Sequence, residues 1–299
     1  MKTTVNKTGK KVVKLIDSTV NLAVLILFII LFAFGCYGVW DSNQIYKSSE
    51  AKQYKKYKPT EENSLPFEEI KKINKDVLGW LSVYGTKVDY PLVQGKTIDK
   101  YLRTDVEGNY SAGGSIFLDY RSKNDFSDFN TLIHGHDMES GDMFGELKKF
   151  NDKEFFEKHQ YGNLYHDEKD YGIEFFAFLQ VDAYDEDIYN LEIKSKENKE
   201  KYIKLVYDRA LNYRNIDIKQ DDRIVMLSTC SFEITNGRHL LFGKIKDNVY
   251  ENEFEEEESK SILEGINSLE SKWYIVIFLL LLLILIIIGI FVRKKSSDK

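Results

Sequence analysis

Cysteine is scarce in this sequence, with two residues in a chain of 299. Cys36 lies inside a long apolar stretch near the N-terminus, so Cys230 is the single thiol of the rest of the chain. One thiol cannot form a disulfide within that part of the protein. An unpaired cysteine is either a small buried hydrophobe or a reactive nucleophile, and the cysteine count alone leaves both possibilities open.

Several signatures of known chemistry are also missing. The sequence has no glycine-rich phosphate-binding loop and no Gly-x-Ser-x-Gly motif, which disfavours nucleotide chemistry and serine hydrolases of that type. A net charge of −6, without a basic stripe in the central part, argues against a nucleic-acid partner. His134 and His136 resemble a zinc-ligand pair, but Asp137 and Met138 follow them instead of further ligands. We therefore expect no metal and no cofactor.

Long apolar segments, in contrast, are present near both ends. Residues 20–40 and 273–292 are each about long enough to cross a bilayer as a helix. Lysines precede the first segment, and arginine and lysines follow the second, so both termini are predicted to be cytoplasmic. No small-x-small cleavage site ends the first segment, which disfavours a cleaved signal peptide. The sequence predicts a cell-membrane protein with two spans and an extracellular domain between them.

The chain divides by composition into parts with distinct properties. A proline at position 66 lies at the start of the predicted domain, and a run of glutamates, residues 255–258, follows the end of that domain. The predicted parts are a basic cytoplasmic N-terminus (1–19), a transmembrane helix (20–40), a polar linker (41–64), an extracellular domain (65–248), an acidic stalk (249–272), a transmembrane helix (273–292) and a basic cytoplasmic tail (293–299).

The extracellular domain is predicted to be mainly β. Short apolar runs of strand length, separated by glycine and polar turns, recur from Leu78 to Asp182. Between Lys196 and Tyr213 the apolar residues instead recur at helical spacing. Six to eight short strands with a single late amphipathic helix favour a closed barrel over a parallel α/β sheet.

The surroundings of Cys230 favour a reactive thiol. An apolar strand, Arg223–Leu227, ends at Ser228 and Thr229, and a turn after Cys230 leads into a second strand that carries Arg238. A thiol is mostly protonated at neutral pH, so a nucleophilic cysteine needs a neighbouring base or cation. A guanidinium beside the thiol would stabilise the thiolate and a later oxyanion.

A base must come from the few histidines, of which the chain has five. His134 and His136 alternate at the end of a strand, so one is expected to face the core and the other a cleft. His136 follows the turn residue Gly135 and is the better candidate for an open site. Cysteine, histidine and arginine together indicate acyl transfer.

These motifs resemble the sortase family, and within it class B. The resemblance covers residues 65–246 and depends on several stretches in the same order. They are NKDVLGWLSVYGTKVDYPLVQGK (74–96), GGSIFLDYR (113–121), TLIHGHDM with His136, GDMFGELKKF (141–150), and LSTC with Cys230, followed by Arg238.

The resemblance implies an eight-stranded sortase β-barrel with added helices and a transpeptidase at a Gram-positive cell surface. Cys230 would attack the threonine carbonyl of a C-terminal sorting signal on a surface protein or pilin. An amine of a cell-wall precursor or a pilin lysine would then release the thioester. His136 would act as general acid and base, Arg238 would hold the oxyanion, and Ser228 and Thr229 match positions that line the substrate groove.

One feature departs from the class B pattern. A C-terminal span is more typical of pilin-polymerising class C sortases, yet the linker lacks the Asp-Pro-aromatic lid motif of that class. The acceptor amine therefore stays open. A tethered cysteine peptidase, in which water resolves the thioester, and a non-catalytic surface-binding domain are the alternatives that the sequence leaves.

Overall fold

The N-terminal apolar segment forms a helix, α1 (Lys7–Ser49), that continues well beyond it. The computed structural model describes residues 7–60, 64–231 and 235–255. Within those ranges, one helix is long and apolar enough to cross a membrane, and its apolar part is not buried against the protein. Much of the predicted linker is helical, because α1 reaches Ser49 and a 3₁₀ helix covers Ala51–Tyr57. The second predicted span, 273–292, lies outside the described residues, as does most of the predicted stalk.

Short strands make up most of the domain, as the alternation of apolar and polar residues predicts. The helices after α1 are α2 (Leu65–Ile73), α3 (Lys153–Lys158) and α4 (Lys196–Arg209). The strands are β1 (Val77–Val83), β2 (Asp89–Gln94), β3 (Ile116–Leu118), β4 (Asn130–His134), β5 (Tyr161–His166), β6 (Lys169–Asp182), β7 (Asn212–Tyr213), β8 (Arg223–Ser231) and β9 (Gly237–Lys246).

Eight of these strands close into a barrel. Their order is β5-β1-β2-β3-β4-β8-β9-β6, and pairing between β5 and β6 closes the ring. The pairs β2–β3 and β4–β8 are parallel and the other barrel pairs are antiparallel. The ninth strand, β7, adds two residues to β6. The predicted eight-stranded barrel is confirmed, with β7 as a short addition.

Two apolar clusters cover opposite faces of β8. Val225 and Leu227 belong to the larger cluster, whereas Ile224 and Met226 belong to a second cluster that includes Tyr202 of α4. This alternation follows from the two-residue period of a strand. It means that α4 packs on one face of the strand that carries Cys230.

The helix predicted over Lys196–Tyr213 is four residues too long. Its start is as expected, because the Ser195 hydroxyl accepts a hydrogen bond from the Asn198 N–H and caps the helix. The backbone turns extended at Ala210, and Asn212–Tyr213 pair with β6. Sheet pairing at this point outweighs the helical spacing of the apolar residues.

Only part of the segment Met143–Asn151 is helical. Met143 has a φ of 53°, in the left-handed region, which no residue of a right-handed helix adopts. Only Leu147–Asn151 is helical, as a 3₁₀ turn. The preceding residues form a tight loop instead, and that loop follows His136 directly.

Candidate active site

Three neighbouring strands bring the predicted catalytic positions together. In the parallel pair β4–β8, His134 lies opposite Ser228, and the Gly135 N–H donates to the Ser228 carbonyl at 3.1 Å. His136 therefore follows β4 at the end where β8 reaches Cys230. In the antiparallel pair β8–β9, Cys230 lies directly opposite Arg238. The C-terminal ends of β4 and β8 and the start of β9 thus meet at one end of the barrel.

Asn236, directly before β9, supports the start of that strand. Asn236 has a φ of 56°, and its carbonyl accepts a hydrogen bond of 2.9 Å from the Ala183 N–H. Asparagine tolerates that left-handed conformation better than most residues. Arg238, two residues later, is partly buried, and its Nη1 donates to the Gly237 carbonyl at 2.9 Å.

His136 belongs to a compact segment, residues 135–145, which we call the histidine loop. A Cβ on Gly135 would lie 2.7 Å from the ring of Phe144, so only glycine fits there without a shift. The Phe144 N–H donates to the His136 carbonyl at 2.9 Å, and Asp137 and Met143 form a β-bridge. The backbone on both sides of His136 is therefore held by contacts within the loop.

The imidazole of His136 is half-buried. Burial, and secondarily the positive charge of Arg103, lower the pKa of His136 below its ordinary value. The neutral form consequently predominates at neutral pH. A neutral imidazole can accept a proton, which is the state that a general base requires.

His134 has a different environment from His136. Its Nε2 lies 2.9 Å from Oδ2 of Asp119, a fully buried carboxylate, and Arg121 also binds that carboxylate through Nε at 2.8 Å and Nη2 at 3.0 Å. Burial alone would raise the pKa of Asp119, but hydrogen bonds from His134 and Arg121 outweigh it and hold that pKa well below the ordinary range. Across the described ranges, His136 has no such carboxylate partner.

The two residues before the cysteine are almost completely buried. Ser228 and Thr229 each expose 3% of their surface. The Ser228 hydroxyl lies 2.9 Å from the hydroxyl of Tyr189, a residue of the connection between β6 and α4. The prediction that Ser228 and Thr229 line a substrate groove stays a prediction, and the structure adds Tyr189 as the group beside them.

Several residues near the site were not identified from the sequence. Asp119 and Arg121 follow β3 at alternate positions, and charged residues directly after a buried strand are a signal that would have found them. Tyr189 and Arg103 carry no local signal, because only the tertiary fold brings them here. In the part of the chain that the structure describes, no group of three or more His, Cys, Asp or Glu residues is arranged to hold a metal ion.

Comparison with known proteins identifies the family. No protein-family model matches the chain. The sequence is 36% identical over 181 residues to sortase B of Listeria monocytogenes, an alignment that covers 59% of this chain and 72% of that protein. This chain belongs to the sortase family. The predicted resemblance to sortases is thereby confirmed, and the enzyme is a cysteine transpeptidase.

Solved structures show that this sortase is most similar to class B. Sortase B from the type II pilus of Streptococcus pneumoniae is 43% identical with a TM-score of 0.54, covering 60% of this chain and 98% of that one. A class B sortase of Streptococcus pyogenes involved in pilus biogenesis is 39% identical with a TM-score of 0.56, covering 60% of this chain and 97% of that one.

Proposed function

We propose that this sortase cleaves a C-terminal sorting signal after threonine through a thioester on Cys230 and transfers the acyl group to an amine. The observation that carries the proposal is the strand register, which places Cys230 opposite Arg238 and beside the strand end that leads to His136. Nucleophile, base and cation at one end of three adjacent strands are the set that acyl transfer needs.

The reaction takes place in two displacements. The Cys230 thiol gives its proton to His136 as its sulfur attacks the threonine carbonyl, and a tetrahedral oxyanion forms. As the C–N bond breaks, His136 returns the proton to the leaving amine and the thioester remains. An incoming amine then attacks the thioester carbon and loses a proton to His136, and the C–S bond breaks. The product is a new amide, and the thiol is restored.

Arg238 is proposed to stabilise the oxyanion in both steps. Its guanidinium offers several N–H donors in a planar fork, and only Nη1 has a protein partner among the described contacts, the Gly237 carbonyl. Donors aimed at a developing negative charge in a partly desolvated site lower the barrier more than they would in water. The remaining N–H groups would bind the oxyanion or the substrate backbone.

Membrane attachment is the second part of the proposal. The apolar α1 is proposed as the first span, with 273–292 as the second, both termini cytoplasmic and the barrel extracellular. Substrates with their own membrane anchors would share the same surface, which raises their effective concentration at the enzyme. The lysines before the first span and the basic tail support this orientation.

The proposed substrates are surface proteins or pilins. Two of the similar solved enzymes are connected with pili. The Streptococcus pneumoniae enzyme, 43% identical, is from a type II pilus, and the Streptococcus pyogenes enzyme, 39% identical, is involved in pilus biogenesis. On that basis we favour a pilin substrate with a pilin lysine as the acceptor amine, and a cell-wall precursor amine is the competing acceptor. The part of the chain between β6 and β8, which includes Tyr189 and α4, covers the strand of Cys230 and is the candidate region for recognising the sorting signal.

Intact-mass analysis of the full chain in detergent tests this function. We expect incubation with a panel of pentapeptide sorting signals to give a covalent adduct equal to the peptide fragment up to its threonine. Addition of a lysine-containing pilin peptide should discharge the adduct as a peptide conjugate. Discharge only to the free acid, at a rate independent of added amine, would mean that the protein is a peptidase. No adduct with any peptide would remove the catalytic proposal.

Substitution of Arg238 by lysine tests the oxyanion role. We expect Arg238→Lys to lower kcat by about 10²-fold, because an ammonium retains the charge but lacks the planar fork. Steady-state kinetics with a peptide that forms the adduct measures the loss. Substitution of Arg223, at the far end of β8, by lysine is the matched control and should leave kcat within about twofold. A wild-type rate in Arg238→Lys would reduce Arg238 to a structural role.

A further inference from the structure

The end of α1 contacts the barrel at a buried position close to the histidine loop. Ser49 is the last residue of α1 and is fully buried. Its carbonyl accepts a hydrogen bond of 2.8 Å from the hydroxyl of Tyr90, a residue of β2 that exposes 1% of its surface. The end of α1, which we call the membrane-proximal helix because α1 is the proposed first span, is therefore joined to the barrel by a hydrogen bond shielded from water.

The same hydroxyl also contacts the histidine loop. The Met143 N–H donates to Tyr90 Oη at 3.0 Å. Met143 is buried, has the left-handed φ of 53° and forms the β-bridge with Asp137, the residue after His136. A non-glycine residue adopts this conformation only where surrounding contacts hold it. Tyr90 supplies one of those contacts from outside the loop.

The next residue connects this contact to the catalytic position. The Phe144 N–H donates to the His136 carbonyl at 2.9 Å, and the Phe144 ring packs against Gly135. A continuous path of hydrogen bonds and backbone thus runs from Ser49 through Tyr90, Met143 and Phe144 to His136. A change in the position of Met143 would be passed on to the backbone that carries the imidazole.

We infer that Tyr90 is a positioning residue, whose hydroxyl joins the end of the membrane-proximal helix to the histidine loop and thereby sets the place of His136. This inference rests on the proposed function, in which His136 transfers the proton. The hydroxyl donates to one partner and accepts from the other, so a side chain without it leaves both a buried carbonyl and a buried N–H unsatisfied. The contacts that position the catalytic histidine would then reach as far as the end of α1.

Tyr90→Phe in the full chain, in detergent, is the first test. We expect kcat to fall about tenfold with KM unchanged, because a small displacement of the base slows proton transfer without altering the binding of the peptide. The acid limb of the pH–kcat/KM profile should move up toward the ordinary histidine pKa, because a loosened loop exposes the imidazole to water. Faster hydrogen exchange at the Met143 amide should accompany both changes.

The matched control is Tyr54→Phe. Tyr54 is also buried, with its ring 6.5 Å from that of Tyr90, and among the contacts of the described residues its hydroxyl makes none with the histidine loop. The charged groups around the loop are the same in both variants, so they do not account for a difference in pH profile. They are Arg103, whose charge acts on His136, and Lys87, Asp137, Asp142, Glu146 and Lys148. We expect Tyr54→Phe to change thermal stability and to leave the pH profile as in the wild type.

A second variant reaches the same path from the other side. A Cβ on Gly113 would press on the side chain of Ser49, so Gly113→Ala should displace the end of α1 while Tyr90 is retained. We expect the same fall in kcat and the same shift in pH profile. This variant keeps the test decisive if Tyr90→Phe fails to fold.

The outcomes separate this inference from the proposed function. Equal kcat and pH profile in Tyr90→Phe and Tyr54→Phe would overturn the inference, and so would a fall in kcat with an unchanged pH profile, which indicates a general loss of stability. His136→Ala is measured alongside. If His136→Ala turned over like the wild type, the proposed role of His136 would fail; if it were inactive while Tyr90→Phe behaved like Tyr54→Phe, only the inference would fail.

Discussion

Replacing Cys230 by alanine is expected to abolish product formation, with a loss in kcat of at least about 10⁴-fold. The reason is chemical, because no other side chain near the end of β8 can form a thioester with the peptide. Intact-mass analysis should show no adduct in Cys230→Ala with any peptide that labels the wild type. A chromatographic assay of released peptide measures the residual rate.

The chain offers a matched control for this experiment. Cys36 is the second cysteine of the sequence and lies in α1, before the barrel in the chain. Cys36→Ala makes the same chemical change away from the barrel and should leave both the adduct and the turnover intact. Persistence of the adduct in Cys230→Ala, or its loss in Cys36→Ala, would place the nucleophile elsewhere.

Features set by neighbouring residues in the sequence could be predicted well. The strand with Cys230 and the strand with Arg238 pair antiparallel, as the two apolar runs on either side of a turn signal predict. The Ser195 cap of α4 is a further example of a local interaction with a sequence signature. In each case the residues that decide the structure are within a few positions of one another.

Features set by distant parts of the chain could not be derived in this way. The parallel pairing of β4 with β8 places His136 near Cys230, and nothing in either strand alone specifies that neighbour. The end of α4 depends on pairing of Asn212–Tyr213 with β6, which helical spacing does not reveal. Strand alternation and the family resemblance predict His136 as the site histidine, and that role stays a prediction. The contact of His134 with Asp119 shows that the two histidines have different environments.

Substitution of His136, which follows β4, is expected to have the second large effect on turnover, and His134 at the end of β4 provides the comparison. His136→Ala is expected to lower kcat by about 10³-fold, because the thiol then has no positioned base and the leaving amine no acid. His134→Ala should retain most of its turnover below its unfolding temperature. Its free energy of unfolding should fall by about 1–3 kcal/mol, because the buried Asp119 loses a hydrogen-bond partner and keeps only Arg121.

Kinetics and chemical denaturation on the same two variants distinguish these roles. Asp119→Asn is a useful companion variant, because it weakens the contact with His134 while both histidines are retained. It should resemble His134→Ala in stability and activity. If His134→Ala were inactive and His136→Ala active, the acid and base would be His134, with Asp119 as its partner. Both histidines need to be tested, because His134 also lies near the nucleophile. In the β4–β8 pair it is opposite Ser228, two residues before Cys230.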